Sequence, residues 1–157
     1  MKLLDIFPES HLLMDLRARD KKGALREIVQ FLVDGGAVAE DVGKKLGKAV
    51  NQREDEGSTG MGKGLAIPHA KDCSFLSGTV AVYARSRDGV EFNSLDGELV
   101  HLLFMVVSSP DDSDRHLSAL RKIATMHRDE KTLKFLRASD KTGSVLEILK
   151  ELDDSFS

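Results

Sequence analysis

Asn51-Gln-Arg-Glu-Asp-Glu-Gly-Ser-Thr-Gly-Met-Gly-Lys-Gly-Leu-Ala-Ile-Pro-His-Ala-Lys71 is the stretch on which the reading of this chain turns. Gly57, Gly60, Gly62 and Gly64 crowd into eight residues, too many for a helix or an interior strand. Gly57-x4-Gly62-Lys63 matches most of a nucleotide-binding P-loop. The match fails at the metal, because Gly64 stands where a Ser or Thr would hold magnesium. The context fails too: a helical pattern precedes the loop where a strand is needed, and Pro68 follows too soon for a long helix. What remains is a loop whose successive N–H groups suit an anion, with hydroxyls from Ser58 and Thr59 and a planar fork from Arg53. Pro68 fixes the backbone just ahead of His69, so the imidazole is presented and not left loose. Neutral imidazole is abundant near pH 7 and needs no strong base to act as a nucleophile. Phosphoryl transfer asks mainly for in-line positioning and for donors to the equatorial oxygens.

Upstream, Leu12, Met14 and Leu16 alternate with polar residues, which predicts a half-buried strand over His11 to Ala18. From Lys21 the period changes. Leu25, Ile28, Val29, Leu32 and Val33 form one helical stripe, with Asp20 as N-cap and Gly35-Gly36 as the stop. A second helix is expected from about Glu40 to Arg53, weakened by Gly43 and Gly47. Downstream, Leu65-Ala66-Ile67 reads as a short extended piece that Pro68 ends. Strands follow at Thr79 to Ala84 and Val100 to Val107, the latter apolar enough to be covered on both faces. Ser108 to Ser113 is a loop, and helices are expected around Leu117 to Ala124, Lys131 to Arg137 and Val145 to Leu152. With no repeat or long linker, this order predicts one α/β domain, a mixed β-sheet sandwiched between helices over residues 5–150, with a C-terminal tail at 151–157.

Composition bounds the function. There are 23 Lys+Arg against 26 Asp+Glu in 157 residues, a net charge of −3, which argues against a nucleic-acid partner. Seven Phe, one Tyr and no Trp leave little for base stacking. No apolar run approaches the roughly 18 to 20 residues of a membrane-spanning helix, and the N-terminus has no secretory pattern. Cys73, the one cysteine, excludes a disulfide framework, and no four-ligand set joins it to His69, so neither a metal nor a cofactor is expected. A cytoplasmic setting is the simplest expectation. The segment Lys44 to Lys71 is locally basic, with six Lys/Arg against three acids, and is expected to help hold an anion.

Arg53-Glu54, Gly57-Ser58-Thr59-Gly60, Gly62 and Ala66-Ile67-Pro68-His69 resemble the phosphorylation-site signature of the enzyme IIA proteins of the bacterial phosphotransferase system. The likeness is to the fructose/mannitol type (EIIA type 2) and its nitrogen-regulatory relatives. A second block, His116-Leu117-xx-Leu120-xx-Ile123-Ala124, resembles the same family. The resemblance implies that His69 is the phosphoacceptor, loaded on its Nε2 (tele) nitrogen by the phosphocarrier HPr. It implies that His116 is the second active-site histidine, and that Arg53 and Ser58 bind phosphate. Lys63 departs from the family pattern at a position where relatives commonly carry an uncharged residue.

His11, His101 and His127 are read as ordinary structural or surface histidines. Met61 and Leu65, beside the reactive histidine, are candidate docking residues. Two roles fit the motif. One is a nitrogen-regulatory IIA protein whose phosphorylation changes its regulatory targets. The other is a sugar-specific IIA component passing phosphate to a IIB protein. The free-standing length leans the expectation toward the first.

Overall fold

In the computed structural model, which describes residues 1–156, the chain opens with a single helical turn, α1 (Leu3–Ile6). A 3-10 turn at Glu9–His11 leads into a two-residue strand, β1 (Leu12–Leu13). Helix α2 (Lys21–Asp34) follows, with the Asp20 carboxylate accepting from the Gly23 amide as the expected N-cap. Helix α3 (Glu40–Asp55) buries Leu46 and Val50. Three short strands come next: β2 (Gly60–Gly62), β3 (Leu65–Ala66) and β4 (His69–Ala70). The long strands β5 (Thr79–Val90) and β6 (Val100–Ser108) form the centre. Helices α4 (Ser113–Met126), α5 (Glu130–Ala138) and α6 (Thr142–Ser155) complete the chain.

The sheet runs β1-β5-β6-β3-β2, and β6 is its axis. On one side β6 pairs antiparallel with β5, from Thr79↔Ser108 to Arg85↔Leu102, then again at Val90↔Val100 after an irregularity. On the other side it pairs in parallel first with β3 (Leu65↔Leu102) and then with β4 (His69↔Val106). Thus β3 and β4 are two pieces of one line along the same side of β6, interrupted at Pro68, which lacks the N–H a continuous ladder uses. Its carbonyl still accepts from the Val106 amide at 3.0 Å.

Alternation along β6 builds two cores. Leu102, Phe104 and Val106 join α1, α4, α5 and α6 on one face; Leu103, Met105 and Val107 join α2 and α3 on the other. The result is the expected mixed sheet between helical layers. Phe104 packs edge-on against Phe7 with ring centroids 5.6 Å apart, so the N-terminal turn belongs to the core.

Some expectations are corrected. The strand expected over residues 11–18 pairs only at Leu12–Leu13, because Leu12 lies in one core and Leu16 in the other. The glycine loop contains a strand, β2, antiparallel to β3. The strand at Thr79 runs on to Val90. Of the tail expected from 151, residues 151–155 belong to α6, and Ser157 lies outside the described residues. Asp153 there is buried and accepts from the amides of Leu3 (2.7 Å) and Leu4 (3.2 Å). It also faces Lys122 Nζ at 3.3 Å, and that ammonium donates to the Met1 carbonyl at 2.6 Å.

Candidate phosphoryl-transfer site

The sheet edge delivers His69. Its Nδ1 lies 2.8 Å from the Ile67 carbonyl oxygen, which accepts only, so Nδ1 carries the proton and Nε2 keeps the free lone pair. The ring is half-buried at the floor of a cleft of about 700 Å³ that Arg53, Lys71, Asp72, His116 and Leu117 also line. Burial pushes the His69 pKa below its ordinary value; the Ile67 carbonyl opposes that shift and the Arg53 charge adds to it. The imidazole is therefore neutral at pH 7, the form a nucleophile needs.

His116 stands in the first turn of α4, with its ring centroid 5.8 Å from that of His69 and the planes 55° apart. It is only 3 % exposed. Its Nδ1 meets Ser108 Oγ at 2.9 Å, while its Nε2 is buried without a hydrogen-bond partner. Burial first, and then the neighbouring His69 charge, lower its pKa to about 4. An unpartnered buried nitrogen costs roughly 1–3 kcal/mol, and here it adjoins the free Nε2-bearing ring of His69.

The glycine loop is fastened from behind. Glu54 accepts from the Thr59 amide (2.8 Å) and hydroxyl (2.7 Å), and Lys21 Nζ reaches the same carboxylate at 3.2 Å. Gly60 is required by close approach: a Cβ there would come within 3.0 Å of Ser94 Cα. Arg53 lines the cleft, and its Nη1 donates to the Gly57 carbonyl at 3.0 Å.

Three of the four expected site residues thus come together: His69, His116 and Arg53. Ser58 does not line their cleft; its hydroxyl donates to the Phe92 carbonyl (2.7 Å) and accepts from the Gly60 amide (3.1 Å). The basic segment also disperses. Lys44 and Lys48 line a groove between α2 and α3, and Lys63 lines a hollow with His101 and Glu130. At the cleft itself, Arg53 and Lys71 are balanced by Glu56 and Asp72. Leu65 is fully buried and Met61 packs on a core, so the apolar rim of the cleft is Leu117 and Phe75 instead. His11 and His101 donate from Nδ1 to the carbonyls of Ala81 and Ser86, each at 2.9 Å, away from the cleft. Sequence reading missed Thr79, Ser108 and Asp112 behind His116. The signal available was Ser108, a hydroxyl directly after the apolar run Leu102 to Val107.

Sequence and fold comparisons identify the family. Residues 5–152 match the family "Phosphoenolpyruvate-dependent sugar phosphotransferase system, EIIA 2", and the chain belongs to that family. The chain is similar to a fructose-specific EIIA component of Haloferax volcanii, 36 % identical over 84 % of each chain. It is similar to a nitrogen regulatory protein of Bradyrhizobium diazoefficiens, 32 % identical over 95 % of each. A fructose-specific EIIABC component of Bacillus subtilis is 31 % identical over 98 % of this chain, which spans only 24 % of that longer protein. Among solved structures, the nitrogen regulatory protein IIA-Ntr of Neisseria meningitidis superimposes with a TM-score of 0.81. It is 27 % identical, over 92 % of this chain and 97 % of that one. The IIA mannitol protein of Escherichia coli, solved in complex with phosphorylated IIB, shares the fold at TM-score 0.74 and 21 % identity, over 90 % and 95 %. Among the described residues, no helix is long and apolar enough to cross a membrane.

Proposed function

We propose that this chain is a phosphocarrier that takes a phosphoryl group on His69 Nε2 and hands it on. The observation that carries this reading is the Ile67 carbonyl holding His69 Nδ1–H at 2.8 Å, which leaves Nε2 as a neutral nucleophile in an open cleft beside His116. In the transfer step the Nε2 lone pair forms the new P–N bond. The P–N bond to the incoming carrier breaks, and its electron pair stays with the carrier. No base is consumed: the Nδ1 proton stays on His69, hydrogen-bonded to the Ile67 carbonyl, and the positive charge the ring gains is the one the carrier's imidazole gives up as it keeps the electron pair. Arg53 supplies a fork for the phosphoryl oxygens once it turns from Gly57, and His116 supplies a ring N–H. Leu117, half exposed on the rim, gives an HPr-like carrier an apolar foothold.

Two destinations for the group follow from the relatives. The regulatory reading is preferred: the similarity to the Bradyrhizobium nitrogen regulatory protein runs nearly end to end, and the IIA-Ntr fold superimposes well. The phosphoryl group itself carries about −1.5 to −2 charges, enough to alter which protein binds even after a proton taken up beside it offsets part of that charge. The second reading, delivery to a sugar-specific IIB protein, draws on the Haloferax fructose component and on the mannitol complex. Incubation with phosphoenolpyruvate, enzyme I and HPr should give an acid-labile, base-stable label that His69→Ala abolishes. Full labelling of His69→Ala overturns the site. A phosphorylation-dependent pull-down that recovers only a sugar IIB component overturns the regulatory preference.

A further inference from the structure

Behind His116 lies a run of hydrogen bonds that the transfer step above leaves unused. His116 Nδ1 meets Ser108 Oγ at 2.9 Å, Ser108 Oγ meets Thr79 Oγ1 at 2.8 Å, and Thr79 Oγ1 meets Asp112 Oδ2 at 2.5 Å. Ser108 is fully buried, so water does not compete for its hydroxyl. Each hydroxyl owns one proton, and a carboxylate only accepts. The Thr79 proton is therefore spent on Asp112. The Ser108 proton is then the one shared with Thr79, and the remaining contact is satisfied only if His116 Nδ1 carries a proton and donates to Ser108. All three bonds point one way, toward Asp112.

We propose that Asp112, Thr79 and Ser108 are positioning residues that hold unloaded His116 as its Nδ1–H tautomer, so that it becomes a donor to a phosphoryl group on His69 only by taking up a proton on Nε2. This inference rests on His69 being the phosphoacceptor. A bare Nε2 and a phosphoryl oxygen are both acceptors and repel. Phosphorylation therefore draws one proton from solvent onto His116 Nε2, and the resulting imidazolium pairs with the phosphoryl oxygens while its Nδ1–H stays on Ser108. The chain ends in a carboxylate, which suits that cation.

The charged groups facing His116 set the balance. His69 and Lys71 oppose protonation, whereas Asp72 from the loop beyond β4 and Asp112 from the turn before α4 favour it. Arg115 lies 3.8 Å from Asp112 and offsets part of that carboxylate. Arg53 of α3 and Glu56, just past its end, also line the cleft, with opposite signs. Without phosphate, burial keeps the imidazole neutral at pH 7. A dianion on His69 reverses the local sign.

The test is ring-nitrogen NMR on the ¹⁵N-histidine-labelled full chain. Unloaded wild type at pH 7 should show His116 protonated on Nδ1; protonation on Nε2 overturns the proposal. Thr79→Val keeps the shape but frees the Ser108 proton for His116 Nδ1, and should move the tautomer ratio toward Nε2–H by about fivefold to tenfold, the worth of one net hydrogen bond. Thr79→Ser restores the hydroxyl and should restore the ratio. A ratio unmoved in Thr79→Val removes Thr79 from the mechanism. After loading, by the HPr relay or directly with phosphoramidate, His116 should carry protons on both nitrogens at pH 7. A His116 that stays neutral after loading overturns the proton uptake. If the relay leaves His69 unlabelled, the carrier reading falls, while the tautomer ratios and the phosphoramidate-loaded sample still decide this inference.

Discussion

Glu54 grips Thr59 at two points, the amide at 2.8 Å and the hydroxyl at 2.7 Å, and so ties the end of α3 to the start of the glycine-rich edge. The same carboxylate is buried and faces Lys21. Removing it strands one buried donor pair and one ammonium. Glu54→Ala should lower stability by roughly 2–4 kcal/mol, with Glu54→Gln between it and wild type. Urea denaturation should show the midpoint falling at unchanged m-value.

The histidine pair predicts an acid weakness. Folded His116 stays neutral down to about pH 4, whereas an unfolded histidine takes its proton near the ordinary value of 6.5. Between those values the unfolded chain holds more protons, so the stability tied to His116 is present above about 6.5 and is lost as pH falls toward 4. His69, also lowered by burial, acts in the same direction. His116→Gln should flatten the pH dependence of stability across this window, on the order of 3 kcal/mol at most. The difference between the wild-type and variant melting curves isolates it from the carboxylates.

Two glycines of α3 should respond oppositely to alanine. At Gly43 a Cβ would come within 2.6 Å of Val33 Cγ2, a stiff β-branched neighbour across the α2–α3 contact. At Gly47 the nearest atom would be Val29 Cγ2 at 3.8 Å, an ordinary contact. Gly43→Ala should destabilise by about 1–3 kcal/mol. Gly47→Ala should stabilise by about 0.4–1 kcal/mol through the unfolded chain. Thermal melts of the two single variants check both signs.

Asp153 joins the two ends of the chain. Asp153→Ala leaves the buried Lys122 ammonium without that counter-charge, although the Met1 carbonyl still accepts from it, and frees the amides of Leu3 and Leu4. The expected cost is about 3–5 kcal/mol. Hydrogen exchange at residues 3 and 4 should accelerate more than exchange in β6, because the loss is local to α1.

Most of the helices were legible because their stripes are long and their ends are marked, as Asp20 and Gly35 mark α2. Strand β6 was legible because it is apolar on both faces. β2 was not, since glycines at 60 and 62 leave no side-chain alternation to read. The alternation at Leu12, Met14 and Leu16 misled, because a period of two assumes one face and this segment passes from one core to the other. The second half of β5 hides behind Arg85 to Gly89, polar residues around an irregular register. At the site, His69 was legible from its own neighbours along the chain. Ser58 was overread: a hydroxyl in a glycine loop is as useful for fastening the loop to Phe92 as for meeting an anion. Thr79 and Asp112 were illegible, because they reach Ser108 and each other only through the pairing of β5 with β6 and the turn before α4.

Strand β6 aligns His69 through Val106 and, two residues later, presents Ser108 to His116. Both imidazoles are therefore surveyed from one rigid baseline, and their separation is a property of backbone spacing. On the carrier reading proposed above, a partner that tells the loaded chain from the empty one reads voltage more than silhouette.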